Sequence, residues 1–331
     1  MKKTFRKQIM KRMSNLYKRI ISIDNLTLAD QKARKGKVMQ YGVKLHDQNR
    51  ENNILALHQL LSNKQYKTSE YTTFKVYEPK ERVVYRLPYY PDRIVHHAIM
   101  NILKPMFLAC FTADTFSCIE GRGIHSASFA VRKALRDQRS TAYCLKLDIT
   151  KFYPSVDHQV MKALIRKKIK DLDALLLLDE IIDSAPGLPI GNYLSQYLAN
   201  FYLTYFDHWT KEVKNVKHYF RYADDIVVLH GDKQYLHHLL AEIKTYLAEE
   251  LKLQVKGNYQ VFPVAARGID FVGYRSYHTH TLLRKSIKKN FARKIARQKQ
   301  LNPLTLASYN GWTKHCDGKN LLNTLLHDRR I

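Results

Sequence analysis

The chain has 331 residues, of which 45% are hydrophobic and 26% charged, a balance typical of a folded globular protein with a substantial core. Its formal net charge of +27 and isoelectric point near 9.8 favour a polyanionic partner, with nucleic acid ahead of an acidic membrane. Its four cysteines lack a CxxC pair, which excludes a zinc knuckle and a disulfide framework. No stretch approaches the ~18 apolar residues of a membrane span, which excludes a transmembrane protein. A cytoplasmic location, with no membrane partner, is expected.

The N-terminal segment is strongly basic. Residues 1–40 contain twelve lysines and arginines against two aspartates, and residues 52–61 (NNILALHQLL) have the apolar spacing of an amphipathic helix. An Arg-rich organelle presequence is the alternative, but a basic helical pattern recurs near the other end of the chain. We therefore predict a basic helical extension over residues 1–65.

The middle of the chain alternates between strand and helix patterns. Residues 71–93 contain two β-rich runs around a turn at 78–80, followed by a helix from about Ile94 to Ala109. The patterns then predict a buried strand at 142–150, helices at about 157–182 and 191–212, a hairpin of YFRY and IVVLH at 219–230, a helix at 233–251, and strands at 259–264 and 268–275. This order is typical of an α+β fold.

The segment from Leu282 to Gln300 is predicted to be an amphipathic helix. It carries eight basic residues and no acid, and Ile287, Phe291 and Ile295 recur every four residues on one face. Such a helix packs by its apolar side and offers cations to phosphates on the other side. The predicted nucleic-acid-binding residues are Arg284, Lys285, Lys288, Lys289 and Arg293.

Two adjacent carboxylates, Asp224 and Asp225, interrupt the hydrophobic hairpin YFRYADDIVVLHG. A tight hairpin would place them at its exposed tip, and Asp148 ends another strand whose carboxylate could lie beside them. Three oxygen donors at strand ends suit two Mg²⁺ ions ~3.5–4 Å apart, which would activate a 3′-hydroxyl and stabilise a leaving pyrophosphate. A hydrophilic turn and a strand cap are the alternative, but the upstream LDITKFYPSVD and the basic chain favour nucleotidyl transfer.

Four segments occur in the order and approximate spacing of the reverse transcriptase palm. They are LDITKFYPSVD (147–157), LPIGNYLSQYLANFYL (188–203), RYADDIVVL (221–229) and GIDFVGYR (268–275). Over about residues 70–300 the chain resembles that family, which implies a right-hand polymerase of fingers, palm and thumb. The implied parts are fingers at 66–140, a palm of antiparallel sheet and helices at 141–280, including helices at 157–185, and a helical thumb at 281–331.

The resemblance implies roles for the residues around the carboxylates. Asp148 and Asp224 would be the main ligands of two Mg²⁺ ions, Asp225 a weaker third ligand, and Ile149 would lend its backbone carbonyl. Mn²⁺ is expected to be able to substitute for Mg²⁺. The implied primer grip comprises Phe271, Val272, Gly273 and Tyr274.

Further residues match positions that contact the incoming nucleotide. They are Lys80, Arg82, Arg122, Tyr153, Ile190, Gly191 and Gln196. Tyr153 matches the aromatic residue that stands against the sugar 2′ position and so favours deoxynucleotides. Lys80 and Arg82 match cations that contact the triphosphate, with ordinary solvated turn residues as an equal alternative.

Two places depart from the pattern or match it loosely. Many relatives carry Arg-Pro in the fingers block where this chain has Ile119 and Glu120, and Arg122 is the residue expected to supply the missing cation. Lys256 lies where related polymerases place a lysine that can protonate pyrophosphate, but an ordinary surface lysine is favoured there.

The subgroup that this chain most resembles is the reverse transcriptases of diversity-generating retroelements. Most of the family has Gln before the Gly of the block after the first catalytic Asp, whereas here Ile190 precedes Gly191 and Ser195-Gln196 follows. An aliphatic chain cannot donate the amide's hydrogen bond, which gives a physical reason for relaxed selectivity. The resemblance implies mutagenic retrohoming, in which a template-repeat RNA is copied into mutagenised cDNA.

The resemblance also implies partners: an RNA template, a primer and its cDNA product, deoxynucleoside triphosphates, and a small basic accessory variability protein that is oligomeric. A bacterial or phage origin is expected. Two alternatives remain open at this point. One is another bacterial reverse transcriptase, from a retron, a group II intron or a phage-defence system; the other is a non-catalytic RNA-binding scaffold, against which the three aspartates argue.

Overall fold

The computed structural model describes residues 12–77, 81–297, 302–318, 320, 321 and 324. Its helices are α1 (Tyr17–Ile21), α2 (Ile23–Ala33), α3 (Tyr41–Asp47), α4 (Arg50–Ser62), α5 (Ile94–Cys110), α6 (Ile124–Ala134), α7 (His158–Arg166), α8 (Leu172–Asp183), α9 (Tyr193–Tyr202), α10 (Thr204–His208), α11 (Lys233–Leu251), α12 (Val264–Arg267), α13 (Lys285–Arg297) and α14 (Pro303–Thr313). Its strands are β1 (Thr72–Tyr77), β2 (Glu81–Arg86), β3 (Tyr143–Asp148), β4 (His218–Tyr222), β5 (Asp225–His230), β6 (Gln260–Pro263), β7 (Ile269–Phe271), β8 (Tyr274–Ser276) and β9 (Thr281–Leu283). The predicted α+β fold is confirmed.

The chain divides into two compact units, each assembled from separated segments. The first unit comprises Met1–Phe111, Lys151–Thr204 and Glu250–Leu253, and the second comprises Thr112–Thr150, Tyr205–Glu249 and Gln254–Ile331. In the described segments, no helix has the length and apolar character needed to cross a bilayer.

The first unit is built around α5. This helix is apolar on most of its surface and packs against α1, α2 and α9, so it is buried on several sides. The segment predicted as a basic helical extension contains α1 to α4, and α2 packs onto α5; its residues 1–11 lie outside the described residues. The strands β1 and β2 form an antiparallel hairpin in which Thr72 pairs with Arg86 and Tyr77 with Glu81.

The second unit contains the main sheet. Its strands lie in the order β4-β5-β3-β6, and every pair is antiparallel. The run from Ile226 to Leu229 in β5 is buried on both faces, as expected for a continuous apolar strand at the centre of a sheet. Val227 and Leu229 belong to a core that includes Val131 of α6. A smaller antiparallel sheet, β7-β8-β9, precedes α13 and α14.

Four predicted elements are shorter or more divided than the sequence pattern indicated. The helix expected over 191–212 is two helices, α9 and α10, which are separated at Leu203. The helix expected over 157–182 is two helices, because Asp171 begins α8 by accepting a hydrogen bond from the Ala174 amide at 3.1 Å. The strand expected at 259–264 ends at Pro263, and α12 begins at Val264. The strand expected at 268–275 is the hairpin β7-β8.

Candidate active site

The catalytic carboxylates predicted from the sequence come together at one end of the main sheet. Asp148, the last residue of β3, lies directly opposite Asp225, the first residue of β5. Ala223 and Asp224 form the turn that joins β4 to β5. All three aspartates are in the second unit, so its own topology brings them together.

The turn is less exposed than predicted. Asp224 and Asp225 are half-buried, and the Oδ1 atom of Asp225 is buried with no hydrogen-bond partner among the described residues. The sequence pattern wrongly placed both carboxylates at an exposed tip, because the side chains that surround the turn come from distant segments. A buried acceptor without a donor is costly, which makes this oxygen available to a cation.

The electrostatics of the carboxylates also point to a missing positive charge. Burial, followed by the hydrogen bond and the charge of Asp148, raises the pKa of Asp224 to about 7. Burial likewise raises the pKa of Asp225 to about 6, against the opposing effect of the Lys146 ammonium group. Protons therefore compete with any cation for these two side chains near neutral pH.

The donor set fits a hard divalent cation. No three His, Cys, Asp or Glu side chains within the described ranges already form a complete metal-ligand cluster. Mg²⁺ does not require one, because it usually keeps several waters and is completed by substrate phosphates. The Oδ1 atom of Asp225 has no hydrogen-bond partner within the described part of the chain and is therefore open to a cation. The raised pKa values of Asp224 and Asp225 show that a nearby positive charge would stabilise both carboxylates.

Two lysines flank the carboxylates. The Nζ atom of Lys146 lies 3.5 Å from Asp225 Oδ2 and donates a hydrogen bond to the backbone carbonyl of Asp270. The Nζ atom of Lys256 lies 3.7 Å from Asp148 Oδ2, and its amide donates to the Asp148 carbonyl at 2.8 Å. Lys146 was missed from the sequence, although it stands two residues before Asp148 and so shares its face of the strand. The sequence favours an ordinary surface lysine at Lys256, whereas the structure places its ammonium group next to Asp148.

The predicted primer grip forms the β7-β8 hairpin, whose turn is Val272-Gly273. Both turn residues have positive φ, 44° for Val272 and 91° for Gly273. A Cβ on Gly273 would lie 2.5 Å from the Trp312 ring, so only glycine fits there. Phe271 and Tyr274 are buried and anchor the turn. The primer-binding role of the hairpin stays a prediction.

The helix α13 has the two faces predicted for it. Phe291 and Ile295 are buried, and Phe291 stacks on Tyr309 with ring centroids 3.9 Å apart. Six cations of α13 are exposed: Lys294, Arg297 and the four predicted from the sequence, Lys285, Lys288, Lys289 and Arg293. Arg284 differs from these four, because it precedes the helix and pairs with Asp270 at 2.6 Å.

In the first unit, the hairpin β1-β2 is tied to the segment that contains Ile190. The amide of Tyr85 donates to the Ile190 carbonyl at 2.8 Å. Gly191 has φ of +119°, and a Cβ there would lie 2.6 Å from the Tyr85 carbonyl oxygen. Arg82 is exposed on the same hairpin. Lys80 lies outside the described residues.

The other predicted nucleotide-binding residues are dispersed. Tyr153 is half-buried in a short 3₁₀ turn, and its carbonyl accepts a hydrogen bond from the Leu188 amide at 2.8 Å. Gln196 is half-buried on α9. Arg122, in the second unit, donates to the carbonyl of Thr112 at 2.8 Å, so part of its guanidinium group is occupied by its own loop. The nucleotide contacts of all three stay predictions.

A cavity of about 330 Å³ in the first unit was not predicted from the sequence. Lys37, Arg86 and Arg93 line it next to Gly191, and none of the three is ion-paired with an acid in the described part of the chain. Burial and the charge of Arg86 lower the pKa of Arg93, and burial and the charge of Arg93 lower that of Lys37. Mutually repelling cations in a cavity form a site for an anion.

Residues 75–276 match the sequence pattern of the family described as reverse transcriptase (RNA-dependent DNA polymerase). This chain belongs to the reverse transcriptase family. The matched region begins within β1 and includes β2, all three aspartates and the β7-β8 hairpin.

Individual proteins and one solved structure are also similar to this chain. The chain is 23% identical over 249 residues to protein YkfC of Escherichia coli (strain K12), across 61% of this chain and 65% of YkfC. It is 24% identical over 139 residues to the group II intron-encoded protein LtrA of Lactococcus lactis subsp. cremoris, across 39% of this chain and 23% of LtrA. The chain thus spans less than two thirds of the length of these relatives. Apo telomerase from Candida tropicalis has the same fold, with a TM-score of 0.50 at 11% identity over 72% of this chain and 51% of that one.

Proposed function

We propose that this chain is an RNA-directed DNA polymerase that adds deoxynucleotides to a primer 3′-hydroxyl by metal-dependent nucleotidyl transfer. The observation that carries the proposal is the position of Asp148 opposite Asp225, with Asp224 in the adjoining turn. These carboxylates lack sufficient positive charge of their own, as the raised pKa values of the two turn residues indicate. Membership of the reverse transcriptase family agrees with this chemistry.

Asp148 and Asp224 would be the main ligands of Mg²⁺, with Asp225 as a weaker ligand and the Ile149 carbonyl as a further oxygen donor. When bound, two such ions favour attack by the primer hydroxyl and stabilise the leaving pyrophosphate, and Mn²⁺ has the ligand preference needed to replace them. The chain's own residues hold the carboxylates at the strand ends. Lys256, whose Nζ lies 3.7 Å from Asp148 Oδ2, would supply an ammonium proton close to the leaving pyrophosphate.

The remaining residues would position the substrates. Tyr153 would stand against the sugar and exclude a 2′-hydroxyl. The cations that line the cavity, Lys37, Arg86 and Arg93, would contact phosphates. The exposed face of α13 would contact the backbone of the RNA template and of the growing cDNA. The Val272-Gly273 turn would support the primer end.

At a finer level, we propose that the enzyme serves a diversity-generating retroelement and copies a template-repeat RNA into mutagenised cDNA. Ile190 supports this, because its carbonyl is bound to Tyr85 and its aliphatic side chain cannot provide the amide hydrogen bond that most relatives provide. A small basic oligomeric accessory protein would complete the system.

A second candidate is a group II intron-like reverse transcriptase. The similarity to LtrA, a group II intron-encoded protein, favours it. The two candidates differ in fidelity: errors concentrated at template adenines would support the retroelement function, and errors spread evenly over the four bases would support the second candidate.

Primer extension tests the proposed activity. The protein is incubated with a labelled DNA or RNA primer on an RNA template, Mg²⁺ and either deoxynucleotides or ribonucleotides. We expect template-length products with deoxynucleotides, few with ribonucleotides, and none after Mg²⁺ is chelated. Absence of extension on RNA, with the protein folded and bound to the primer-template, would reject the proposal.

A further inference from the structure

A fully buried ion pair lies next to the turn that carries Asp224 and Asp225. Arg221, four residues before Asp225 on β4, is 0% exposed, as is its partner Asp207. Their contact is bidentate: Arg221 Nε lies 2.7 Å from Asp207 Oδ1, and Nη2 lies 2.5 Å from Oδ2. A planar fork of this kind fixes the orientation of the guanidinium group as well as its position.

The Asp207 carboxylate is held from several directions. Tyr219 donates its hydroxyl to Oδ1 at 2.6 Å, and Thr115 donates to Oδ2 at 3.1 Å. The main chain of Arg221 is fixed too, because its amide donates to the Asp114 carbonyl at 2.9 Å. The guanidinium group therefore has one position within the described structure.

The third nitrogen of this guanidinium group reaches the catalytic turn. Arg221 Nη1 donates to the carbonyl of Ala223 at 3.1 Å. Ala223 has φ of 55°, a left-handed conformation that is uncommon for a residue with a Cβ and persists when its surroundings enforce it. The hydrogen bond fixes the peptide that leads directly into Asp224.

We infer that Arg221 is a positioning residue, which holds the Ala223-Asp224 turn so that the carboxylates of Asp224 and Asp225 face the divalent cations. The inference rests on the proposed function, in which these carboxylates are metal ligands. A role in stability alone does not account for the pair, because a buried ion pair is often no more stabilising than apolar residues of the same volume. The contact with Ala223 is what an apolar replacement would remove.

Mn²⁺ binding to the nucleic-acid-free protein tests this role without relying on activity. The free ion is measured by electron paramagnetic resonance during titration, and folding is measured by thermal unfolding. The informative protein is the double variant Arg221→Met with Asp207→Leu, which leaves no unpaired buried charge. A double variant at another bidentate pair, Arg166→Met with Asp179→Leu in the first unit, is the control.

We expect the Arg221 double variant to fold and to bind Mn²⁺ about ten- to a hundredfold more weakly, the range found when a residue that orients metal ligands is removed. The control should bind Mn²⁺ like the wild-type protein. Wild-type Mn²⁺ affinity in the folded Arg221 double variant would overturn the inference.

Arg221→Lys keeps the result decisive if the double variant does not fold. Lysine retains the charge beside Asp207, but one ammonium group cannot reproduce the fork together with the bond to Ala223, so weaker Mn²⁺ binding is again expected. Unchanged affinity in Arg221→Lys would overturn the inference. Asp224→Asn tests the proposed metal site separately from the role of Arg221. If Asp224→Asn leaves Mn²⁺ binding unchanged, the proposed metal site itself is rejected.

Discussion

The backbone amide of Tyr85 donates a 2.8 Å hydrogen bond to the carbonyl oxygen of Ile190. This bond joins the hairpin β1-β2 to the segment that precedes α9, through main-chain atoms alone. The side chain of Ile190 is half-buried and takes no part in it. Its chemistry can therefore be changed while the backbone stays in place.

Replacing Ile190 with Gln is predicted to improve fidelity. If Ile190 lies against the incoming nucleotide as proposed, the Gln amide would supply a hydrogen bond to it, and a bond of ~1 kcal/mol changes a rate ratio about five- to tenfold. Misincorporation opposite template adenine should fall more than opposite the other three bases, with primer extension retained. Sequencing cDNA made by both proteins on one template measures this, and an unchanged error spectrum would contradict the retroelement proposal.

Replacing Gly191 with Ala is predicted to disturb the same contact. The new Cβ would lie 2.6 Å from the Tyr85 carbonyl oxygen, at a φ of +119° that side chains rarely adopt. We expect a decrease of more than ~1 kcal/mol in the free energy of unfolding, measured in denaturant. The control is Gly257→Ala, where a Cβ meets nothing within 4 Å. Equal stability of the two variants would show that the hairpin moves freely.

The pKa of Asp224 predicts an unusual dependence of stability on pH. Its folded value of about 7 exceeds the ordinary 3.8, so between these values the folded state binds more protons than the unfolded state. The stability of the metal-free protein should then fall as pH rises from 4 to 7. Asp224→Asn lacks this titrating group, so at pH 8 it should unfold at a higher temperature than the wild-type protein. Each ~1 kcal/mol of difference in the free energy of unfolding corresponds to roughly 2–4 °C. The difference in unfolding temperature should disappear towards pH 4.

Thermal unfolding in a metal chelator measures that difference. Mg²⁺ added at pH 8 should raise the unfolding temperature of the wild-type protein more than that of Asp224→Asn. Identical unfolding curves for the two metal-free proteins at both pH values would contradict the electrostatic description of the turn.

The cationic face of α13 predicts how RNA affinity depends on salt. Charge reversal at Lys285, Lys288, Lys289 and Arg293 removes exposed cations and leaves the buried Phe291 and Ile295 in place. If about five to eight phosphates are bound, a plot of log affinity against log salt concentration should have a slope of several units for the wild-type protein. The charge reversals should lower the magnitude of this slope by up to about 0.9 for each phosphate that is no longer neutralised. Filter binding over a range of salt concentrations measures the slopes of the wild-type and charge-reversed proteins. Equal slopes would show that these four residues are ordinary solvated cations that do not contact phosphates.

The sequence predicted the parts of the site that depend on local pattern. The strand before Asp148, the hairpin around Asp224 and the helix Lys233–Leu251 follow from periodicity and are confirmed. Sequence spacing could not predict that the β3 and β5 ends meet in register, since that depends on the order of strands in the sheet. The motif match implied only that these carboxylates act together.

The groups missed from the sequence are those brought in from distant positions. Asp207 lies fourteen residues before Arg221 and contacts it only through the tertiary fold. Lys37 lies between α2 and α3 and Arg93 just before α5; they line the same cavity, and neither belongs to a motif. Lys256 resembled a surface lysine because the pattern around it is weak, yet its amide is bound to the Asp148 carbonyl.

Single-nucleotide incorporation is the most direct test of the claim that the aspartates at the strand ends carry out RNA-directed DNA synthesis. Rates are measured in a single turnover, with excess enzyme on an RNA template, for wild type, Asp148→Asn, Asp224→Asn and the control Asp232→Asn, an exposed acid that follows the other end of β5. Removal of ~4 kcal/mol of transition-state stabilisation predicts about a thousandfold slower incorporation in the first two variants and a wild-type rate in the control. Incorporation by folded Asp224→Asn at the wild-type rate would contradict the account.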